Sequence, residues 1–154
     1  MKTRTILMTL ALCFFTGAVC FASDANMGTW KLNDAKSKFP PGASKNHTVV
    51  YAADGDNVKI TVDGVDGSGK PTHNEWTGKF DGKDYPVTGD PNSDMRSYKK
   101  VNANTMELTV KKDGKVVTSG KIVVAKDGKS RTVTTHGTNA KGEKTQATAV
   151  YDKE

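Results

Sequence analysis

Met106-Glu107-Leu108-Thr109-Val110-Lys111-Lys112-Asp113-Gly114-Lys115-Val116-Val117 decides the fold. Met106, Leu108 and Val110 alternate with Glu107, Thr109 and Lys111, and an Asp-Gly pair follows. Alternation at a period of two puts apolar side chains on one face of an extended chain and polar ones on the other. Asp-Gly accepts the positive φ that a tight hairpin demands. The stretch therefore reads as a half-buried strand, a turn and the start of an antiparallel partner.

The same grammar extends in both directions. Val58, Ile60 and Val62 alternate with Lys59, Thr61 and Asp63; Trp76, Gly78 and Phe80 alternate with Glu75, Thr77 and Lys79. Further strands are expected near 28–33, 47–53, 85–88, 95–101, 116–125, 131–138 and 145–152. Asp-Gly pairs at 54–55, 63–64, 66–67, 81–82, 113–114 and 127–128 are read as turns between them. No segment after residue 22 carries an apolar stripe of helical period. Residues 34–39 have room for one helical turn before Pro40-Pro41-Gly42 stops it. Nine or ten strands joined by short links form a meander, and closing a meander removes its exposed edges. The expected fold is all-β, an antiparallel up-and-down barrel of about 8–10 strands, with a β-sandwich as the alternative.

The N-terminus reads as a targeting segment. Lys2 and Arg4 precede an apolar stretch from Ile6 to Val19, too short for a stable bilayer span. Cys20 and Ala22 suit the −3 and −1 positions of a cleavage site before Ser23; a cut after Ala25 fits the same pattern. An uncleaved anchor, or a lipoprotein signal ending at Cys20, are the competing readings, and Val19 is a poor fit to the second. The expectation is a cleaved signal peptide over 1–22, one domain over 23–154, and a secreted or periplasmic location with no membrane span after cleavage. Both cysteines, Cys13 and Cys20, lie inside the signal. The remaining domain then has no disulfide, thiol nucleophile or thiolate ligand and depends on its core.

Removing Lys2 and Arg4 from the 23 basic residues leaves 21 against 17 acidic, a balance of +4. The charges are interleaved, without a run of five or more of one sign, which points away from nucleic acid. The domain is expected to be monomeric.

Inward positions near the C-terminus are small or hydroxyl-bearing: Val133, Thr135 and Gly137, then Ala147, Ala149 and Tyr151. A solid core favours larger side chains, so this face is expected to leave room for water or a ligand. The alternative is that larger side chains from opposite strands fill the space.

Gly28-Thr29-Trp30-Lys31-Leu32 at the start and Ala149-Val150-Tyr151-Asp152-Lys153 at the end resemble the calycin superfamily, the lipocalins and fatty-acid-binding proteins. The resemblance implies a barrel whose floor is crossed by Trp30. Gly28 to Asn33 with Lys36-Ser37-Lys38-Phe39 also resembles small uncharacterised secreted bacterial proteins. Two departures limit what carries over. The lipid-binding branch has two lid helices after its first strand, where this chain has Lys38-Phe39-Pro40-Pro41-Gly42. That branch also binds a carboxylate through an Arg two residues before the terminal Tyr, and here Ala149 stands at that place.

Catalytic and metal motifs are sparse. His47, His73 and His136 are far apart in sequence, and no i, i+2 or i, i+4 pair of them offers a metal or haem site. The oxygen-rich stretches Asp63 to Gly69 and Asp90 to Asp94 do not follow calcium-loop spacing. No Gly-x-Ser-x-Gly, phosphate loop or His-Glu-x-x-His occurs. No metal or cofactor is expected. His73 and Glu75 form the one candidate acid–base pair.

The expected function is binding or carrying a small, mainly apolar molecule inside the barrel. Tyr51, Trp76, Phe80, Met106, Leu108 and Tyr151 are the candidate wall. Arg96 and Arg131, the two arginines outside the signal, are candidates to meet an anionic head group. A solid-cored envelope protein acting by surface contacts, and an enzyme built on a rim acid–base pair, are the other two readings.

Overall fold

The computed structural model describes residues 24–139 and 141–154. The expected signal peptide, 1–22, lies outside the described residues. Ten strands follow in order: β1 (Gly28–Leu32), β2 (Lys45–Asp54), β3 (Asn57–Val65), β4 (Pro71–Gly78), β5 (Tyr85–Thr88), β6 (Met95–Lys100), β7 (Thr105–Lys112), β8 (Lys115–Val124), β9 (Ser130–Thr138) and β10 (Lys144–Lys153). Each pairs antiparallel with its neighbours in sequence, and β1 pairs with β10 to close the barrel. The fold is thus a closed antiparallel up-and-down barrel, as the alternation and turn spacing imply, and not a sandwich. One 3-10 turn, Asp34–Lys36, stands where the short helical segment was expected. No helix among the described residues is long and apolar enough to cross a membrane.

Turn chemistry explains most links. Lys112 pairs with Lys115, leaving Asp113-Gly114 as a two-residue loop with φ of 49° and 74°. Positive φ at both central residues matches the right-handed twist of the strands it joins. Asp63-Gly64 is a correction: it does not turn the chain but lies within β3, paired with His73 and Thr72. The reason is a close approach. A bulge in β2 between Asn46 and Thr48 presses its backbone against β3, and a Cβ at residue 64 would collide with the carbonyl of Lys45. Phe80, read as part of a strand, lies beyond the end of β4 in the link to β5.

Alternate strand directions give the barrel two different ends. The links β2–β3, β4–β5, β6–β7 and β8–β9, with the segment before β1, lie at one end, here the floor. The other links form the mouth. The main core is Trp30, Tyr51, Ile60, Trp76, Tyr98, Met106, Ile122, Val124 and Tyr151, with Val49, Val62, Val87 and Ala149. Trp30 is fully buried and its indole N–H donates to the carbonyl of Asn26 at 2.8 Å. Asp24 anchors this segment to the end of β6 through Lys100 at 2.6 Å, and the Lys153 ammonium donates to the Ala25 carbonyl.

Candidate functional site

The floor half is filled by aromatic rings. Trp76 meets Tyr98 edge-on at 4.8 Å between centroids, Tyr85 edge-on at 5.7 Å, and stacks with Phe80 at 6.4 Å. Tyr51 closes the group against Phe80 and Tyr98. Gly78 makes this possible, since a Cβ there would lie 2.5 Å from the Tyr85 ring and 2.7 Å from Trp76. Burial pushes the Tyr98 phenol well above its ordinary range, with the nearby Tyr51 adding to the shift. Desolvation pushes the Tyr151 phenol up to about 12, against the opposing pull of Arg131. Both phenols are neutral at physiological pH and serve as hydrogen-bonding groups; Tyr151 donates to the Asn46 carbonyl at 3.0 Å.

Toward the mouth the inner face changes character. Arg131, Val133, Thr135 and Gly137 share the inward face of β9, because Arg131 and Ile122 (paired with Val133) point into the core. Ala147 on β10 and Leu108 and Gly120 on β7 and β8 continue this strip. Arg131 is buried, whereas Val133, Thr135, Gly137, Ala147, Leu108 and Gly120 are only half-buried although they face inward. This inward strip is thus reached by solvent from the mouth, with Leu108 and Val133 packed against the core below it. Gly120 adds backbone proximity: a Cβ there would press 2.6 Å from the Thr134 carbonyl.

Two surface pockets among the described residues lie at this same end. One of about 420 Å³ is bordered by inner-face Thr118, Gly137 and Thr145 and by outer-face Ser119, His136 and Thr138, so it sits on the rim. The other, about 490 Å³, lies between the β1–β2 and β3–β4 links, against Phe39, Lys45, His47 and Val65.

The candidate wall residues come together, but in different surroundings. Tyr51, Trp76, Met106 and Tyr151 are buried in the packed half; Phe80 and Leu108 are partly buried against it. The two arginines part company. Arg96 spans a thin seam: β5 pairs through only two residues on each side, and β4 reaches over it to β6. The Trp76 indole donates to the Arg96 carbonyl at 2.9 Å, and the Arg96 guanidinium donates to Asn74 Oδ1 at 3.3 Å and lies 3.8 Å from Asp90. Arg131 instead lies among rings, 4.7 Å from Trp30, 4.8 Å from Tyr51 and 5.0 Å from Tyr151. These four residues come from β1, β2, β9 and β10, so only strand register unites them.

His73 and Glu75 lie on the exposed outer face of β4. The closer partner of His73 is Asp63, directly across on β3 at 2.6 Å, while Glu75 lies 3.8 Å away and pairs with Lys59 at 2.9 Å. The Asp63 hydrogen bond raises the His73 pKa, and Lys59 lowers that of Glu75. The cluster is a solvated ionic ladder. Among the described residues, no three His, Cys, Asp or Glu side chains converge to hold a metal.

No protein-family model and no curated protein matches the chain. Among solved structures, it is similar to EF1p2_mFAP2b bound to DFHBI, at 12% identity and a TM-score of 0.49, over 86% of this chain and 97% of that one. A redesigned beta barrel, b11L5F_LGL, matches at 14% identity and a TM-score of 0.48, over 88% and 97% of the two chains. Lobster apocrustacyanin A1 matches at 12% identity and a TM-score of 0.38, over 86% and 63%.

Proposed function

We propose that this barrel is an exported binding protein that holds a small, mainly apolar molecule in the mouth half of its interior. One observation carries the reading: the inward strip of Leu108, Gly120, Val133, Thr135, Gly137 and Ala147 remains reachable by solvent above a floor sealed by rings. A concave, largely apolar recess with a few hydroxyls is the usual form of a small-molecule site. Ordered, tightly packed walls below it limit the entropy lost on binding. The signal-like segment over 1–22 supports export, and an intact mass beginning at Ser23 is its expected signature.

Fluorescence titration with N-phenyl-1-naphthylamine tests the binding reading. Saturable, one-to-one enhancement is expected, reduced by Ala147→Leu, which fills the recess. Absence of saturable enhancement would overturn the proposal.

A further inference from the structure

We propose that the β6–β8 side of the mouth is a docking surface for an anionic phospholipid bilayer. The inference goes beyond the binding reading and holds whatever the recess contains.

Two features of this rim are unfavourable in water. Lys112 and Lys115 stand directly opposite each other across the β7–β8 turn. Like charges opposite one another on paired strands repel. The next row exposes apolar side chains. Met95, Lys111 and Val116 are neighbours in register on β6, β7 and β8, and Met95 and Val116 are 38% and 58% exposed. Lys111 adds its aliphatic stem to the row, while its ammonium is held by Asp84 at 2.6 Å.

The neighbouring hairpin tip adds charge of the same sign. Lys144, at the start of β10, borders the rim pocket together with Val116 and Val117, and Lys141 stands in the β9–β10 link. Among the described residues, no carboxylate lies within 4 Å of the ammonium of Lys112, Lys115, Lys141 or Lys144. Against these four lysines the two tips carry Asp113 and Glu143, and the Glu143 carboxylate already accepts from the Asn139 side chain. The other side of the mouth is settled within itself. There Lys45 is paired with Asp34 at 2.7 Å, Asp66 accepts from its own link, and Phe39 packs against the core.

An anionic bilayer relieves both features at once. Lipid phosphates offset the charge of Lys112 and Lys115, and the interfacial layer takes up Met95 and Val116. A second copy of the chain in a two-fold contact would set these lysines against their own kind. A wholly polar anion such as nucleic acid would leave the apolar row in water.

Co-sedimentation with vesicles tests this, with the chain starting at Ser23 so that no apolar leader contributes. Vesicles of equal parts phosphatidylcholine and phosphatidylglycerol are expected to bind it about tenfold or more tightly than pure phosphatidylcholine, and raising NaCl from about 50 to about 500 mM should release it. Lys112→Gln with Lys115→Gln should weaken binding about fivefold. Val116→Ser should weaken it about threefold without any change of charge. Lys36→Gln with Lys70→Gln removes the same charge from the β1–β2 and β3–β4 links, on the other side of the mouth, and should stay within about twofold. Equal losses from the two double variants would overturn the docking face and leave only net charge. Equal binding to both kinds of vesicle would overturn it too. Retention on heparin without vesicle binding, or a dimer dispersed by Val116→Ser, would give the face to another partner and overturn the lipid. Should the lysine variants fail to fold, the wild-type Val116 methyl resonances decide. Broadening by anionic vesicles that carry a spin-labelled lipid supports docking through this tip; methyls left unperturbed overturn it.

Discussion

The floor and the mouth of this barrel are built from the same strands with opposite packing. At the floor, Trp76 contacts Phe80, Tyr85 and Tyr98 in the space between strands, and Trp30 is fully buried in the same core. At the mouth, β9 and β10 offer Thr135, Gly137 and Ala147, which fill little of it. The difference teaches where stability and recognition reside. Large buried rings supply the hydrophobic stabilisation and van der Waals contact that hold a disulfide-free domain together. That concentration at one end lets the other end remain open.

The division breaks most visibly at Trp30. Trp30→Ala should destabilise the fold by about 3–5 kcal/mol, because the residue is fully buried and its neighbours are fixed on closed strands. Urea unfolding reads this directly, and a loss under about 1 kcal/mol would contradict the view of the floor as the structural half. The second prediction concerns the segment beneath it. Lys100 and the Asn26 amide hold the Asp24 carboxyl below its ordinary 3.8, outweighing the opposing effect of burial. A lowered folded-state pKa contributes stability above the unfolded value and loses it as pH falls through the folded one. Asp24→Asn should therefore cost about 1 kcal/mol near pH 7, given the half-exposed lysine, and progressively less as pH falls from 3.8 through the lowered folded-state value. Thermal melts across that range check the convergence. The smallest stability effect belongs to the mouth: Ala147→Leu should change unfolding free energy by less than about 1 kcal/mol, because the recess accepts the added methylenes. The same variant should weaken N-phenyl-1-naphthylamine binding, so one substitution separates the two halves.

Architecture was legible wherever a local rule acts alone. Alternation over Met106 to Lys111 and the pair Asp113-Gly114 report β7 and its hairpin without help from distant residues. Asp63-Gly64 misleads because the same dipeptide serves two ends, a turn or a close backbone approach, and the bulge that selects the second lies on β2. The partners of the candidate site were less accessible for the same reason. Nothing near Arg131 in sequence announces Trp30, Tyr51 and Tyr151; they reach it only when β1, β2 and β10 are in register. Asp63 against His73 is another cross-strand pair that spacing along one strand does not reveal.

The pairing of β1 with β10 also has a kinetic meaning. Every other ladder joins strands adjacent in sequence and can form as a local hairpin. The last ladder brings together groups as far apart as Lys153 and Ala25, 128 residues distant, and so carries the largest loop-closure entropy. Trp30 lies on that seam and obtains Arg131 and Lys153 as neighbours only when it shuts. During refolding its indole is therefore a clock for the final event, recording when ten hairpin-linked strands become a ring.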